Sequence, residues 1–130
     1  MAERKIFKGM TKEELSNISQ QDFLMLIKSR QRRSIKRNGI DYKNLKEKVE
    51  KNKQANKNKI IKTHCREAVI LPSWIGLKFA VHNGKEFVQM DIIHEMIGHR
   101  LGDFAFTTKR VVHSAPGIGA TRGSKVLTKK

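Results

Sequence analysis

One cysteine is all the chain has, so Cys65 lacks a partner for an internal disulfide, and a reduced, cytosolic setting is expected. No apolar run approaches the roughly 18 residues that a membrane span needs, and no membrane partner is expected. Met1 to Gly9 are charged and carry no apolar stretch of the kind a secretory leader requires. Aromatic residues are few, with six Phe, one Trp and one Tyr, and hydrophobic residues make up 38% of the chain. That composition is lean without being that of a disordered protein, and 130 residues suffice for one modest core with extensions.

Acids are missing where cations are densest. Residues 104–130 hold 6 Lys and Arg and no acid, residues 1–62 hold 18 against 7, and residues 63–103 hold 4 against 5. A near-neutral middle is thus flanked by two cationic arms, and the formal net charge is +16. Charge of one sign repels itself in a compact chain, so a polyanionic partner is expected, nucleic acid first and an anionic surface second. The resulting division is a basic helical part over 1–62, a compact α+β core over 63–103, and an extended basic tail over 104–130.

Two helix starts stand close together. Thr11-Lys12-Glu13-Glu14 has the spacing of a capping box, and Ser19 to Asp22 offers a second N-cap with an acid in the first turn. From Asp22 the pattern Phe23, Leu26, Ile27 and Ile35 predicts one helix ending near Asn38-Gly39, with Lys28, Arg30, Arg32, Arg33, Lys36 and Arg37 around most of its circumference. Solvated faces normally mix signs, and Lys28 to Arg37 contains no acid, which points to phosphate contact. A second helix from about Asp41 shows the narrow stripe Tyr42, Leu45, Val49, and Asn52 to Lys59 reads as a frayed end or linker.

Leu77, Phe79 and Val81 alternate with polar or small residues up to Asn83-Gly84, after which Val88, Met90 and Ile92 alternate again. A two-residue turn at Asn83-Gly84 would pair Phe79 with Val88, Leu77 with Met90 and Ile75 with Ile92, bringing the apolar sets onto one face. Ile60 to His64 or Ala68 to Leu71 supplies a third strand of what is expected to be a small antiparallel sheet, and Pro72 would end the second of these runs. His94 to Gly102 reads as a short helix with Met96, Ile97 and Leu101 inward. The tail beyond Phe106 has no apolar period, and Pro116-Gly117-Ile118-Gly119 excludes a regular helix.

Catalytic motifs are imitated rather than present. His94 and His99 are five residues apart, not the four that place two metal-binding histidines on one helical face. Cys65 with His64 and His82 lacks a fourth zinc ligand at recognisable spacing, and no third residue orients a Cys-His pair. Gly117 to Gly123 has neither the preceding strand nor the following helix of a phosphate-binding loop. No cofactor or metal is expected. Trp74 beside Pro72 reads as a lid on the core, while His82, His99 and His113 fit either a donor to phosphate or a ribose 2′-hydroxyl, or a surface position.

Several stretches in order carry a resemblance over nearly the whole chain. They are Ser29-Arg30-Gln31-Arg32-Arg33, Lys62-Thr63-His64, Val81-His82-Asn83-Gly84-Lys85, Glu95 to Phe104, and Pro116-Gly117-Ile118-Gly119-Ala120-Thr121. Together they resemble the small-subunit ribosomal protein family numbered nineteen in the universal scheme and fifteen in the older eukaryotic one. The helical N-terminus and the tail look like the eukaryotic version, with archaeal forms next. The resemblance implies a small α+β fold and a place on the 3′ major, or head, domain of small-subunit rRNA. It implies as neighbours the universal small-subunit protein thirteen, a large-subunit bridge element and A-site tRNA near the tail. It also implies a cytoplasmic ribosomal location, with a nucleolar stage of assembly in a eukaryote. RNA contact is implied for Lys62, His64 and Arg66, for Asn83, Gly84 and Lys85, for His99 and Arg100, for Thr107 and Lys109, and for Gly117, Gly119, Thr121 and Arg122 in the tail. Ser114-Ala115 departs from the Gly and basic residue usual before the family's Pro-Gly, and the last residues, Val126 to Lys130, differ too.

The expected function is that of a structural RNA-binding constituent of the small subunit. A free RNA-binding or assembly factor is the alternative, and a metal-dependent hydrolase built on His94, Glu95 and His99 a distant third.

Overall fold

The computed structural model describes residues 7–37, 39–55 and 59–112. Four helices precede a three-stranded sheet: α1 (Lys12–Asn17), α2 (Gln20–Leu26), α3 (Ser29–Arg37), α4 (Ile40–Gln54), β1 (Ile61–Thr63), β2 (Lys78–His82) and β3 (Phe87–Asp91). Short 3-10 turns occupy Pro72–Trp74, His94–Met96 and Leu101–Phe104. The class is the α+β one expected. No helix among the described residues is long and apolar enough to cross a membrane.

Both helix starts form as their residues dictate. Thr11 N–H donates to Glu14 Oε2 at 2.9 Å and Glu14 N–H to Thr11 Oγ1 at 3.4 Å, which closes the capping box of α1. Asp22 N–H donates to Ser19 Oγ at 3.2 Å and caps α2. The single helix expected from Asp22 onward is instead two. Ile27 takes an extended conformation (φ −80°, ψ 162°), so α2 stops at Leu26 and α3 starts at Ser29. The Arg32 guanidinium compensates the break: Nε donates to Leu24 O at 2.7 Å, and Nη2 to Met25 O at 3.1 Å and Ile27 O at 3.2 Å. Carbonyls orphaned at the end of α2 thereby find a cation, which also suits the helix dipole. In α4 the narrow stripe holds, with Tyr42, Leu45 and Val49 buried.

The sheet has the order β1-β2-β3. β1 comes from the first of the two candidate runs and pairs parallel with β2, Ile61 with Phe79 and Thr63 with Val81. The sheet is therefore mixed rather than antiparallel. Residues 64–77 make the crossover, and their length meets the minimum of about a dozen that a parallel connection needs. The second run lies outside the sheet, where Val69 bridges Arg100 and Ile70 N–H donates to His99 O at 2.8 Å.

β2 and β3 are antiparallel with Phe79 opposite Met90, Val81 opposite Val88 and His82 opposite Phe87. The register differs by two residues from the expected Phe79–Val88, and a shift of two leaves every side chain on its expected face. Asn83 supplies the reason. Its Oδ1 accepts from Lys85 N–H at 2.9 Å and Glu86 N–H at 2.8 Å, and Asn83 N–H donates to Glu86 O at 3.0 Å. The loop thus runs from Asn83 to Glu86. A two-residue turn of the expected type needs positive φ at both positions, and of the pair Gly84 alone has it (φ +101°).

The expected helix over His94 to Gly102 is two 3-10 turns. Gly98, at φ +80°, breaks the run and donates its N–H to Ile70 O at 3.1 Å, while Leu101 N–H reaches Ala68 O at 2.9 Å. Backbone groups that a helix would pair along itself are paired with residues 66–70 instead.

Helices and sheet share one buried cluster: Leu15, Phe23, Ile35, Tyr42 and Leu45 from the helices meet Ile61, Phe79, Val81, Ile92, Ile97 and Leu101. Trp74 lies within it, its ring centroid 5.3 Å from Phe79 and 6.3 Å from Tyr42, as a lid on the core would. Asn83→Ala, which removes the acceptor of two loop amides, is expected to lower unfolding free energy by about 1–2 kcal/mol in denaturant titrations without changing the slope.

Candidate nucleic-acid interface

Helical geometry sorts the residues of α3. Ile35 is buried, and Gln31 and Arg32, four and three positions earlier, are partly buried beside it. Gln31 Nε2 donates to Gly98 O and so ties α3 to the turn beyond the sheet. Arg30, Arg33, Lys36 and Arg37 point to solvent, joined by Lys28 just before the helix. No described hydrogen bond or ion pair engages these five cations, whereas Arg32 is bound to the end of α2.

Arg66 is a second cation turned inward. It is partly buried, and its Nη1 donates to His82 O at 2.7 Å while Nη2 donates to Gly102 O at 3.0 Å and Ala105 O at 2.5 Å. One guanidinium therefore joins the end of β2 to the turn Leu101–Phe104. Gly102 packs against it closely enough that a Cβ there would meet Arg66 Cβ and O at 3.1 Å. Arg100 forms an ion pair with Glu67, and its N–H donates to Asp103 Oδ2 at 3.0 Å.

The sheet sorts its residues by alternation. Ile61, Thr63, Phe79, Val81, Val88 and Met90 face the core. Lys62, His64, Lys78, His82, Phe87 and Gln89 share the opposite face, with Ala80 beneath them in the middle strand. On this face Lys62, His64, Lys78, Phe87 and Gln89 are exposed. At the hairpin tip Gly84 and Lys85 are exposed and Asn83 is held by its own loop. His99, its ring 5.9 Å from Phe104, and Thr107 and Lys109 beyond it are exposed as well. Gly117, Gly119, Thr121, Arg122 and His113, and the extended tail expected around them, lie outside the described residues, as does Asn38.

Of the imitated motifs, those built on His and Cys lie within the described residues, and Gly117 to Gly123 lies outside them. His94 stands on one 3-10 turn and His99 beyond the left-handed Gly98, so the two share no helical face. No cluster of three or more metal-ligating side chains forms among the described residues. Cys65 is half-buried, and burial pushes its thiol pKa up, which leaves it protonated and a poor nucleophile at neutral pH. Tyr42 is raised as well, again by burial, and its hydroxyl has no partner among the described residues.

A family model described as Ribosomal protein S19 matches residues 33–113. A small ribosomal subunit protein uS19 from Saccharolobus solfataricus is 51% identical over 126 residues, 95% of this chain and 90% of the relative. The chain belongs to the ribosomal protein S19 family. Another uS19, from Metallosphaera sedula, is 44% identical over 126 residues with the same coverage. Both relatives are of the archaeal kind, the second of the two versions that the sequence resembles. The family is one of small-subunit ribosomal proteins and not of enzymes. Its matched region begins inside α3 and takes in the whole sheet, whereas the alignment with the relatives extends over most of the chain.

Two features escaped the sequence. Arg32 and Arg66 look like their exposed neighbours in any charge count, and only the orphaned carbonyls at irregular turns reveal why they turn inward. Phe87 lies on the outer face that its alternation with Val88 dictates, and what the strand pattern does not give is its contact with His64 and His82 there. Arg32→Ala and Arg66→Ala are each expected to lower stability by about 1–3 kcal/mol through unpaired carbonyls. Arg33→Ala is expected to stay within about 0.5 kcal/mol, a contrast that denaturant titration reads directly.

Proposed function

We propose that this chain is an RNA-binding structural constituent of the small ribosomal subunit, docked on the folded 3′ major domain of its rRNA. The observation that carries the reading is the sorting of cations: those that hold the fold are bound to carbonyls, and those on α3, the outer sheet face and the hairpin tip are left free for phosphate. Folded RNA offers a dense phosphate surface, and Lys or Arg that replace its counterions supply affinity, while 2′-hydroxyl and base contacts set orientation. Lys28, Arg30, Arg33, Lys36 and Arg37 form one contact surface, and Lys62, His64, Asn83, Gly84 and Lys85 a second. His99, Arg100, Thr107 and Lys109 lead toward the tail. Arg32 and Arg66 act through the fold, holding these surfaces in place.

The residues from Gly117 to Arg122 belong to a basic tail that we assign to the neighbourhood of the decoding region and A-site tRNA. The universal small-subunit protein thirteen and an intersubunit bridge element are the adjoining partners. In this division residues 63–103 are the compact RNA-binding core, 1–62 its basic helical extension and 104–130 the arm that reaches outward. A chain of these parts does no chemistry and works by charge and shape.

With about six to ten phosphates neutralised, affinity for a 3′ major domain transcript is expected to fall roughly 10³- to 10⁵-fold between 50 and 200 mM salt. A flat salt response contradicts the reading. Deleting Ser114 to Lys130 is expected to impair translation by assembled subunits while leaving the melting of the folded part unchanged; equal loss of both counts against the assigned tail.

A further inference from the structure

The outer face of the sheet ends in a row of three rings that the core does not use. His64, one residue past β1, is level with His82 on β2, and His82 is paired with Phe87 on β3. Ring centroids are 4.5 Å apart for His64 and His82, 4.9 Å for His82 and Phe87, and 5.2 Å for His64 and Phe87. Phe87 meets both imidazoles edge-on, at 71° and 76°. Each ring therefore buttresses its neighbours, yet Phe87 remains 37% exposed and His64 is exposed.

Cations and a donor surround the row. Lys62 Nζ stands 5.6 Å from the Phe87 ring centroid, and Lys85 projects from the adjoining loop. His82 Nδ1 accepts Gly84 N–H at 3.0 Å, which leaves Nε2 as the nitrogen that carries its proton. The strand pair Lys78 and Asp91 lies at the opposite end of the hairpin, Glu86 stands in the loop next to Phe87, and Asp41 lines a shallow pocket with Lys62 and His64. Partly exposed rings with an ammonium group over Phe87 and another in the adjoining loop match a nucleobase with its flanking phosphates. Bases inside an A-form helix hide their π-faces, so the base that fits is an unpaired one.

We propose that His64, His82 and Phe87 form a stacking subsite for one unpaired rRNA base, with Lys62 and Lys85 on the phosphates at either side. The subsite rests on the RNA-binding reading above and adds to it a contact that does not depend on charge. Its signature is therefore a loss of affinity without a change in salt dependence.

The test uses the full chain and a transcript of the 3′ major domain, with affinity measured across a salt series and melting followed for each variant. Phe87→Leu is expected to bind about 5- to 100-fold more weakly with the wild-type salt slope, and Phe87→Trp to bind like the wild type. Lys62→Ala is expected to lower the slope by about 1. With 2-aminopurine replacing unpaired adenines one at a time, one position is expected to be quenched by the wild type and not by Phe87→Leu. Wild-type affinity in Phe87→Leu, or equal loss in the Leu and Trp variants, overturns the stacking subsite while a steep wild-type salt slope keeps the RNA-binding reading. A flat wild-type slope removes both.

Discussion

Guanidinium groups bound to backbone carbonyls hold this structure together where regular secondary structure stops. The chain has little apolar material and many cations, and its connections are irregular: α2 breaks at Ile27, the crossover returns through residues 64–77, and two short turns follow β3. The crossover carbonyls are met by backbone N–H groups of the turns after β3, whereas carbonyls at the ends of α2 and β2 and in the last turn take side-chain donors, and one left unmet costs about as much as a lost hydrogen bond. Arg32 and Arg66 meet three carbonyls apiece at these points. Lys could not reproduce this, because the planar fork presents several donors in fixed directions whereas an ammonium is a point charge.

The same arrangement decides what the surface can do. With the inward arginines occupied, no ion pair among the described residues engages the cations of α3 or of the outer sheet face, where Lys62 meets only the Phe87 ring. The core is nearly acid-free on its buried side, and β2 lies at its centre with Phe79, Ala80 and Val81 fully buried. That strand is paired on both edges, and its two neighbours carry Lys62 and Phe87 outward, with Lys62 Nζ 5.6 Å from the Phe87 ring centroid. The scaffold thus sets the positions of these cations and rings, with Asn83 fixing the loop that carries Lys85.

Much of this was legible in residue patterns, for physical reasons that differ by element. The caps at Thr11 and Ser19 and the stripe Tyr42, Leu45, Val49 are local, so nearest neighbours determine them. The outward and inward faces of the hairpin follow from its period of two and survive a register shift of two. The register itself depended on whether Asn83 adopts positive φ or caps the loop with its side chain, a choice the residue pair Asn-Gly leaves open. The broken helix at Ile27 and the turns around Gly98 depended on distant partners, Arg32 and Ile70, that no local period reveals. For the interface, the cationic face of α3 and the hairpin tip were evident from charge and order, whereas the inward roles of Arg32 and Arg66 and the contact of Phe87 with two histidines needed the tertiary structure.

In the proposed assembly the outward cations face rRNA while the fold stays as it is in the free chain. Lysine reactivity toward an amine-specific reagent, compared between the free protein and intact small subunits, tests it most directly. Lys28, Lys36, Lys62 and Lys85 are expected to be reactive in the free protein and strongly protected in the subunit. If all four react equally in both, the outward surfaces do not face RNA and the account is wrong.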